Sequence, residues 1–322
     1  MSLHWVVLIL ISCILSAPTL WAMPEEGCKL EFDKLQTKVK WEGGSGAYAG
    51  KYNPFDPISY VQSLSFDVVN KNNVACPYFI DAEHSRNTGS YDRELKEGDR
   101  RLRYNLYIDA ALSKVWKGAE TSPSSVIQGF AEAGNDSRTT QVYYFNIEPL
   151  QLVKDGKMSK DKVKLGLWRG LFDSSDRRRE KFIEVEYKAE VPKVVDVSLV
   201  DSDTGFIPGQ INRFVDFGFL TAQDSESFDL IVRYNKKYDL SFESRNKGKM
   251  VNSTSPQDTV IYEFLVNGDL YDLKKKGKKI MDQGNPDFEG DRHQLMVRIA
   301  DSIEDKARGI YSDVITGIIK AK

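Results

Sequence analysis

Three cysteines and three histidines are few for a chain of 322 residues. Cys13 lies in the apolar N-terminal run, which leaves Cys28 and Cys76 for the rest of the chain. Beyond that run the histidines are His84 and His293, neither with a second His or Cys at metal-site spacing, so no metal or cofactor is expected. An excess of one charge is also missing. Lys+Arg number 45 and Asp+Glu 47, for a net −2, which gives no electrostatic case for nucleic acid. No later apolar run is long enough to span a bilayer. Long helical periodicity is absent, and "RIADSIEDKARGI" carries a turn at most. "GGSG" (43–46) fails the Gly-x-Ser-x-Gly spacing of a nucleophile elbow. "DSDTG" (201–205) opens like a calcium loop but lacks the acidic residue that closes one, so it reads as a turn.

What is present begins with export. "WVVLILISCIL" is a short apolar core followed by "SAPTLWA", which predicts a signal peptide over 1–22, cleaved after Ala22. A membrane anchor and a lipoprotein processed at Cys13 are the alternatives. Two cysteines in an exported chain predict a Cys28–Cys76 disulfide, against the alternative of two buried thiols. The mature chain reads as all-β. Short alternating runs such as "VVDVSLV" (194–200), "SFDLIVRY" (227–234), "VIYEFLV" (260–266) and "HQLMVRIA" (293–300) are separated by Gly, Asn, Asp and Pro.

The chain also echoes itself. "SFDVVNKNN" from Ser65 returns as "SFDLIVRYNKK" from Ser227, and "LRYNLYIDA" around Tyr104 as "VIYEFLVNG" around Tyr262. "RGLFDSSDRRREKFIEVEY" from Arg169 resembles "RGIYSDVITGIIKA" from Arg308. Three matches in order predict two related β-domains, 23–190 and 191–322, joined near "KAEVPKVVD". Their last strands differ. "IEVEYKAEV" alternates cleanly, with one apolar and one charged face. In "GIYSDVITGIIKAK" both faces are partly apolar: Ile310, Val314 and Ile318 fall on one side, Tyr311, Ile315 and Ile319 on the other. Either this strand is central in its own sheet, or a partner adds a strand beside it. In the first half, "GGSGAYAGKYNPFDPISY" and "GNDSRTTQVYYFNIEPL" read as loops. Their aromatics, Tyr48, Tyr52, Phe55, Tyr143, Tyr144 and Phe145, are candidates for contact with apolar surfaces or sugar rings, or else plug the ends of the sandwich.

In order, the C-terminal half carries "VDVSLVDSDTGF", "FVDFGFL", "FDLIVRYNKKYDLSFESRNKGKMV", "VIYEFLVNGDLYDL" and "RGIYSDVITGIIKA", the last with Gly309, Tyr311 and Asp313 ahead of the final strand. Through these it resembles the spore coat protein U-like family, the subunits of archaic chaperone–usher pili. The first half is a looser match through "CKLEF", "SLSFDVVNKNN", "LRYNLYID" and "GLWRGLF". The resemblance implies two immunoglobulin-like sandwiches, the C-terminal one lacking its last strand. A periplasmic chaperone, and then an adjacent pilus subunit secreted through an outer-membrane usher, supplies that strand. It implies a groove flanked by 310–320 and by a strand within 194–200, with Lys322 as a chaperone anchor. Only "MPEEG" stands between the expected cleavage site and Cys28, too short and too charged for a donor segment. That points to a tip subunit at the cell surface, with an adhesin-like first domain facing an unknown surface or glycan receptor.

Two readings compete with a non-enzymatic tip adhesin: an exported β-sandwich carbohydrate-binding module or glycoside-active enzyme, and a non-adhesive coat or minor pilus subunit. The basic runs "RRR" (177–179) and "KKKGKK" (274–279) read as solvated loops, or as contacts to an acidic polysaccharide or anionic surface. Asn135 and Asn252 match the glycosylation pattern, but in a bacterial pilus protein they are turn residues.

Overall fold

Period-two alternation of Val, Ile, Phe and Tyr against polar residues builds strands almost throughout. The computed structural model describes residues 28–274, 279–281 and 286–322. The expected signal peptide, the "MPEEG" segment and part of the 274–279 basic run lie outside them. The first half holds β1 (Leu30–Asp33), β2 (Lys38–Lys40), β3 (Val61–Asn70), β4 (Cys76–Ala82), β5 (Arg93–Glu97), β6 (Arg100–Tyr107), β7 (Ile127–Ala131), β8 (Ser137–Ile147), β9 (Gly156–Arg169) and β10 (Arg178–Val191). The second holds β11 (Val195–Asp201), β12 (Ser225–Tyr234), β13 (Tyr238–Ser244), β14 (Lys249–Asn252), β15 (Thr259–Val266), β16 (Asp269–Leu270), β17 (Ile280–Met281), β18 (Asp291–Ile299), β19 (Tyr311–Ser312) and β20 (Ile315–Ala321). The fold is all-β, in two sandwich-like halves.

In the first half β1, β3, β8 and β6 pair in that order, and β5 carries the sheet over to β9 and β10, with β4 on the other side of β9. The two layers enclose one core. Tyr187 of β10 meets Phe145 of β8 at 5.2 Å and Tyr104 of β6 at 5.9 Å between ring centroids. Cys28 and Cys76 are buried and disulfide-bonded, as expected, closing a loop of 48 residues beside β1 and β4. In the second half β11, β12, β18 and β15 pair in the same manner, and β13 pairs with β20 in the facing layer. Phe242 of β13 and Phe264 of β15 close that core at 4.9 Å.

The pairing order makes the internal echo structural. β1-β3-β8-β6 corresponds to β11-β12-β18-β15, and β4 to β13. The first two sequence matches fall on β3/β12 and β6/β15, in agreement. The third does not. β13 pairs with β20 as β4 pairs with β9, so β20 corresponds to β9 and not to β10. Local likeness between 169–187 and 308–321 gives way to strand pairing, which is set by the whole sheet.

The halves meet through specific polar contacts. Asn235 accepts from the Val194 amide at 2.8 Å and donates to the carbonyls of Pro192 (2.9 Å) and Val153 (3.2 Å). Lys236 pairs with Asp155 at 3.2 Å. Arg233 lies over the Phe55 ring at 5.1 Å.

Candidate functional site

The correspondence leaves β10, and the short β2 beside it, without a counterpart among the described residues. β10 lies beside β9 on the side away from β4, antiparallel to it over most of its length. It is itself flanked by β2, in parallel register Lys188↔Lys40. Its inward residues Val185, Tyr187, Ala189 and Val191 are sealed in the core, as are Val163, Leu165 and Leu167 of β9. Beside β20, away from β13, no strand stands among the described residues. β11 is the edge strand of the opposite layer, paired only with β12.

The consequence appears in burial. Val195, Val197 and Leu199 of β11, and Ile315 and Ile319 of β20, pack against the second core but stay half-exposed. Their neighbours one strand further in, Leu230 and Val232 on β12 and Leu240 and Phe242 on β13, are buried. Two edge strands in opposite layers thus flank an apolar seam; at some positions their Cα atoms come within 8 Å, so a strand entering there must part them. Complete burial of a Val or Ile stabilises by about 1.5–3 kcal/mol, so five half-covered side chains leave on the order of several kcal/mol unrealised. The segment 205–221 returns beside β11. The Gln210 carbonyl accepts from the Leu199 amide at 2.7 Å, and Val215, Phe217 and Leu220 rest on the core, giving partial cover at that end.

The Gly309–Tyr311–Asp313 sequence holds the entrance to β20. A Cβ on Gly309 would lie 2.6 Å from the Asn252 amide, so any larger residue must displace that buried side chain. Tyr311 lays its ring on the core and donates its hydroxyl to the Ala307 carbonyl at 2.7 Å. Asp313 accepts from the Tyr262 hydroxyl at 2.6 Å, Ser244 Oγ at 2.5 Å, and the amides of Asn246 (3.0 Å) and Val314 (2.7 Å). It thereby ties the start of β20 to β13 and β15. Burial first, then the bond to Asp313, pushes the Tyr262 hydroxyl well above its ordinary range.

Of the expected groove residues, Tyr311, Ile315 and Ile319 face inward, and Ile310, Val314 and Ile318 do not enter that core. Ile310 is 74% exposed and Val314 44%. Lys322 pairs with Asp239 at 2.8 Å, and Lys279 reaches the other carboxylate oxygen at 2.9 Å. The hydrogen bond from Lys322, with that from Lys279, holds the Asp239 carboxyl below its usual range.

The candidate adhesive aromatics require correction. Tyr143 and Phe145 are not loop residues; they point inward from β8. Tyr143 packs on Trp116 at 5.1 Å, accepts from the Tyr187 hydroxyl at 3.3 Å, and is pushed up to about 12 by burial. Phe145 sits between Trp41 and Tyr104. Tyr52 is buried, donating to the Glu148 carbonyl at 3.0 Å and accepting from the Gln151 amide at 2.7 Å. Phe55 is buried against Arg233 and Phe288 of the other half. Tyr48 and Tyr144 remain half-exposed. Asn252 is buried too, its side-chain oxygen accepting from Thr254 and Ser255, a turn role. Within the "RRR" run Arg177 is no solvated residue: it donates to the Phe172 carbonyl at 2.7 Å and lies over the rings of Phe172, Trp168 and Phe79.

Residues 44–163 match the family model described as Spore Coat Protein U domain. The match falls on the first half, where the sequence resemblance is the looser one. No curated protein matches in sequence. Among solved structures, a chain of the chaperone–tip adhesion subunit pre-assembly complex from archaic chaperone–usher Csu pili of Acinetobacter baumannii aligns at 11% identity and a TM-score of 0.42, over 77% of this chain and 85% of that one. The CupB6 tip adhesin from Pseudomonas aeruginosa aligns at 11% identity and a TM-score of 0.38, over 91% and 95%.

Proposed function

Starting from the Spore Coat Protein U domain that residues 44–163 carry, we propose that the chain is an exported, non-enzymatic subunit of a chaperone–usher pilus that accepts a strand in its second half. The observation that carries the reading is the missing counterpart of β10. The first half closes its own sandwich with β10; the second half has the same order of strands, and among the described residues none takes that place. The incoming strand parts β11 from β20, which approach within 8 Å in this structure, and lies between them, antiparallel to β20 as β10 is to β9. Its alternate apolar residues cover Val195, Val197, Leu199, Ile315 and Ile319. A periplasmic chaperone fills the gap first, with Ile310, Val314, Ile318 and Lys322 at its rim, and an adjacent subunit delivered at the usher replaces it.

A closed first half offers no such gap, so this subunit joins a fibre through its second half. That supports a terminal place in the fibre, with the first half turned outward to a surface or glycan receptor. Tyr48 and Tyr144 are the candidate aromatics left to meet it. The test is hydrogen exchange on the full chain, alone and co-purified with its pilus chaperone. Alone, β11 and β20 should exchange much faster than β9 and β10; with the chaperone they should become protected. Equal protection of β20 and β9 in the free chain would sink the proposal.

A further inference from the structure

On the outer face of the first half, four lysines stand in one row across four neighbouring strands. Lys96 of β5 is opposite Lys160 of β9, Lys160 is opposite Lys188 of β10, and Lys188 is opposite Lys40 of β2. Lys40, Lys160 and Lys188 are each flanked in sequence by buried residues, and Lys96 by buried Leu95, so all four share the outer face. At ~4.8 Å between strands the row extends roughly 14 Å. A shallow cavity of about 510 Å³ lies along it, lined by Lys96, Glu97, Gly98, Lys160 and Lys188.

Like charges placed directly opposite in a sheet destabilise it. On β9, β10 and β2 the register otherwise avoids that: Glu184 is opposite Lys164, and Glu186 is opposite both Lys162 and Lys38; on β6, Arg101 stands opposite Lys96 and continues the cationic row. Within the row, Lys188 is offset by Glu186 at 2.5 Å and Lys96 by Glu94 at 3.4 Å. Among the described residues no carboxylate pairs with Lys160 or Lys40.

We infer that this row is a binding site for a linear anionic polysaccharide laid across β5, β9, β10 and β2. Several features fix the ligand class. The strip is narrow and open, which suits one extended chain rather than a small molecule. Lysines are point charges on flexible stems and meet successive carboxylates or sulfates without bidentate geometry. The flanking positions Glu94, Lys162, Glu186 and Lys38 hold no aromatic, so bases of a single strand have nothing to stack on. The inference concerns the first half alone and stands whether or not the second half accepts a strand.

The test is binding of the full chain to immobilised polygalacturonate, to a heparin-type sulfated glycan, to neutral dextran and to duplex DNA, over a range of salt. One or both acidic glycans should bind and weaken with salt, and the stronger of the two identifies the acid group. A K40E/K160E double variant with unchanged melting temperature should bind roughly tenfold more weakly, with a flatter salt dependence. A K40R/K160R variant should retain binding. Unchanged affinity in the charge-reversed variant, tighter binding to DNA than to either acidic glycan, or no binding to either acidic glycan overturns the assignment.

Discussion

Leu240 and Ile319 stand directly opposite each other on β13 and β20, yet Leu240 is sealed from water and Ile319 is not. Their inward direction is shared; what differs is the neighbour beyond. Leu240 has strands on both sides, Ile319 on one. Replacing Ile319 by Ala should therefore cost the free chain about 1 kcal/mol or less, well below the 2–5 kcal/mol of a fully buried Ile→Ala. Leu240→Ala should cost that full amount. If a strand docks beside β20, I319A should instead weaken the complex with the chaperone. Chemical denaturation of the two variants, followed by a binding titration of I319A, checks both halves of this prediction.

The start of β20 gives a second prediction. Asp313 gathers two hydroxyl and two amide donors, and a hydrogen bond to a charged group contributes roughly 1.5–3 kcal/mol. Asp313→Ala should destabilise the second half by about 2–3 kcal/mol, and Tyr262→Phe by about 1 kcal/mol. Made together they should cost less than the sum, because they share one bond. Gly309→Ala must push against the Asn252 amide and should lower the same transition. Two-step thermal unfolding, with each step assigned by near-UV signals, reads these losses.

Much of the fold is legible in the sequence. Period two in "SFDLIVRY", "VIYEFLV" and "HQLMVRIA" marks β12, β15 and β18, because a strand with one face inward leaves that pattern regardless of its partners. The two-sided character of 310–321 points to β20. Other features were not legible. Tyr143 and Phe145 follow a polar stretch, Ser137–Gln141, which hides the strand that continues through both. Phe55 sits among Pro and Gly like an exposed loop residue, but its cover comes from Arg233 and Phe288, far away in sequence. The lysine row draws on positions 40, 96, 160 and 188, and only the register of four strands brings them together.

The disulfide should act on one half only. Cys28 and Cys76 close 48 residues, and in the chain-entropy model that contributes about 4 kcal/mol. A C28S/C76S variant should lower the melting of the first half markedly, leaving the second transition within about a degree of its original position. Differential scanning calorimetry separates the two. A large fall in both would mean that the halves unfold as one unit through the contacts of Asn235 and Lys236.

His293 supplies a pH dependence confined to the second half. The ring is buried on β18, with Nε2 at 2.7 Å from the Tyr238 hydroxyl and Nδ1 at 3.4 Å from Asn267. Burial lowers its pKa from the ordinary value; Asp291, also bonded to Tyr238, acts in the opposite sense and is the weaker influence. In the unfolded chain the imidazole takes up a proton near pH 6.5, while the folded one resists it. Across that interval the unfolded state binds more protons, so stability rises with pH. The contribution is complete above about pH 6.5 and is lost as pH falls towards the folded value. The melting temperature of the second transition should therefore drop between pH 7 and pH 5, before most carboxylates titrate. His293→Gln removes the titrating group and should flatten that slope, at the cost of a lower melting temperature throughout. A slope that survives the substitution would assign the pH response to another group.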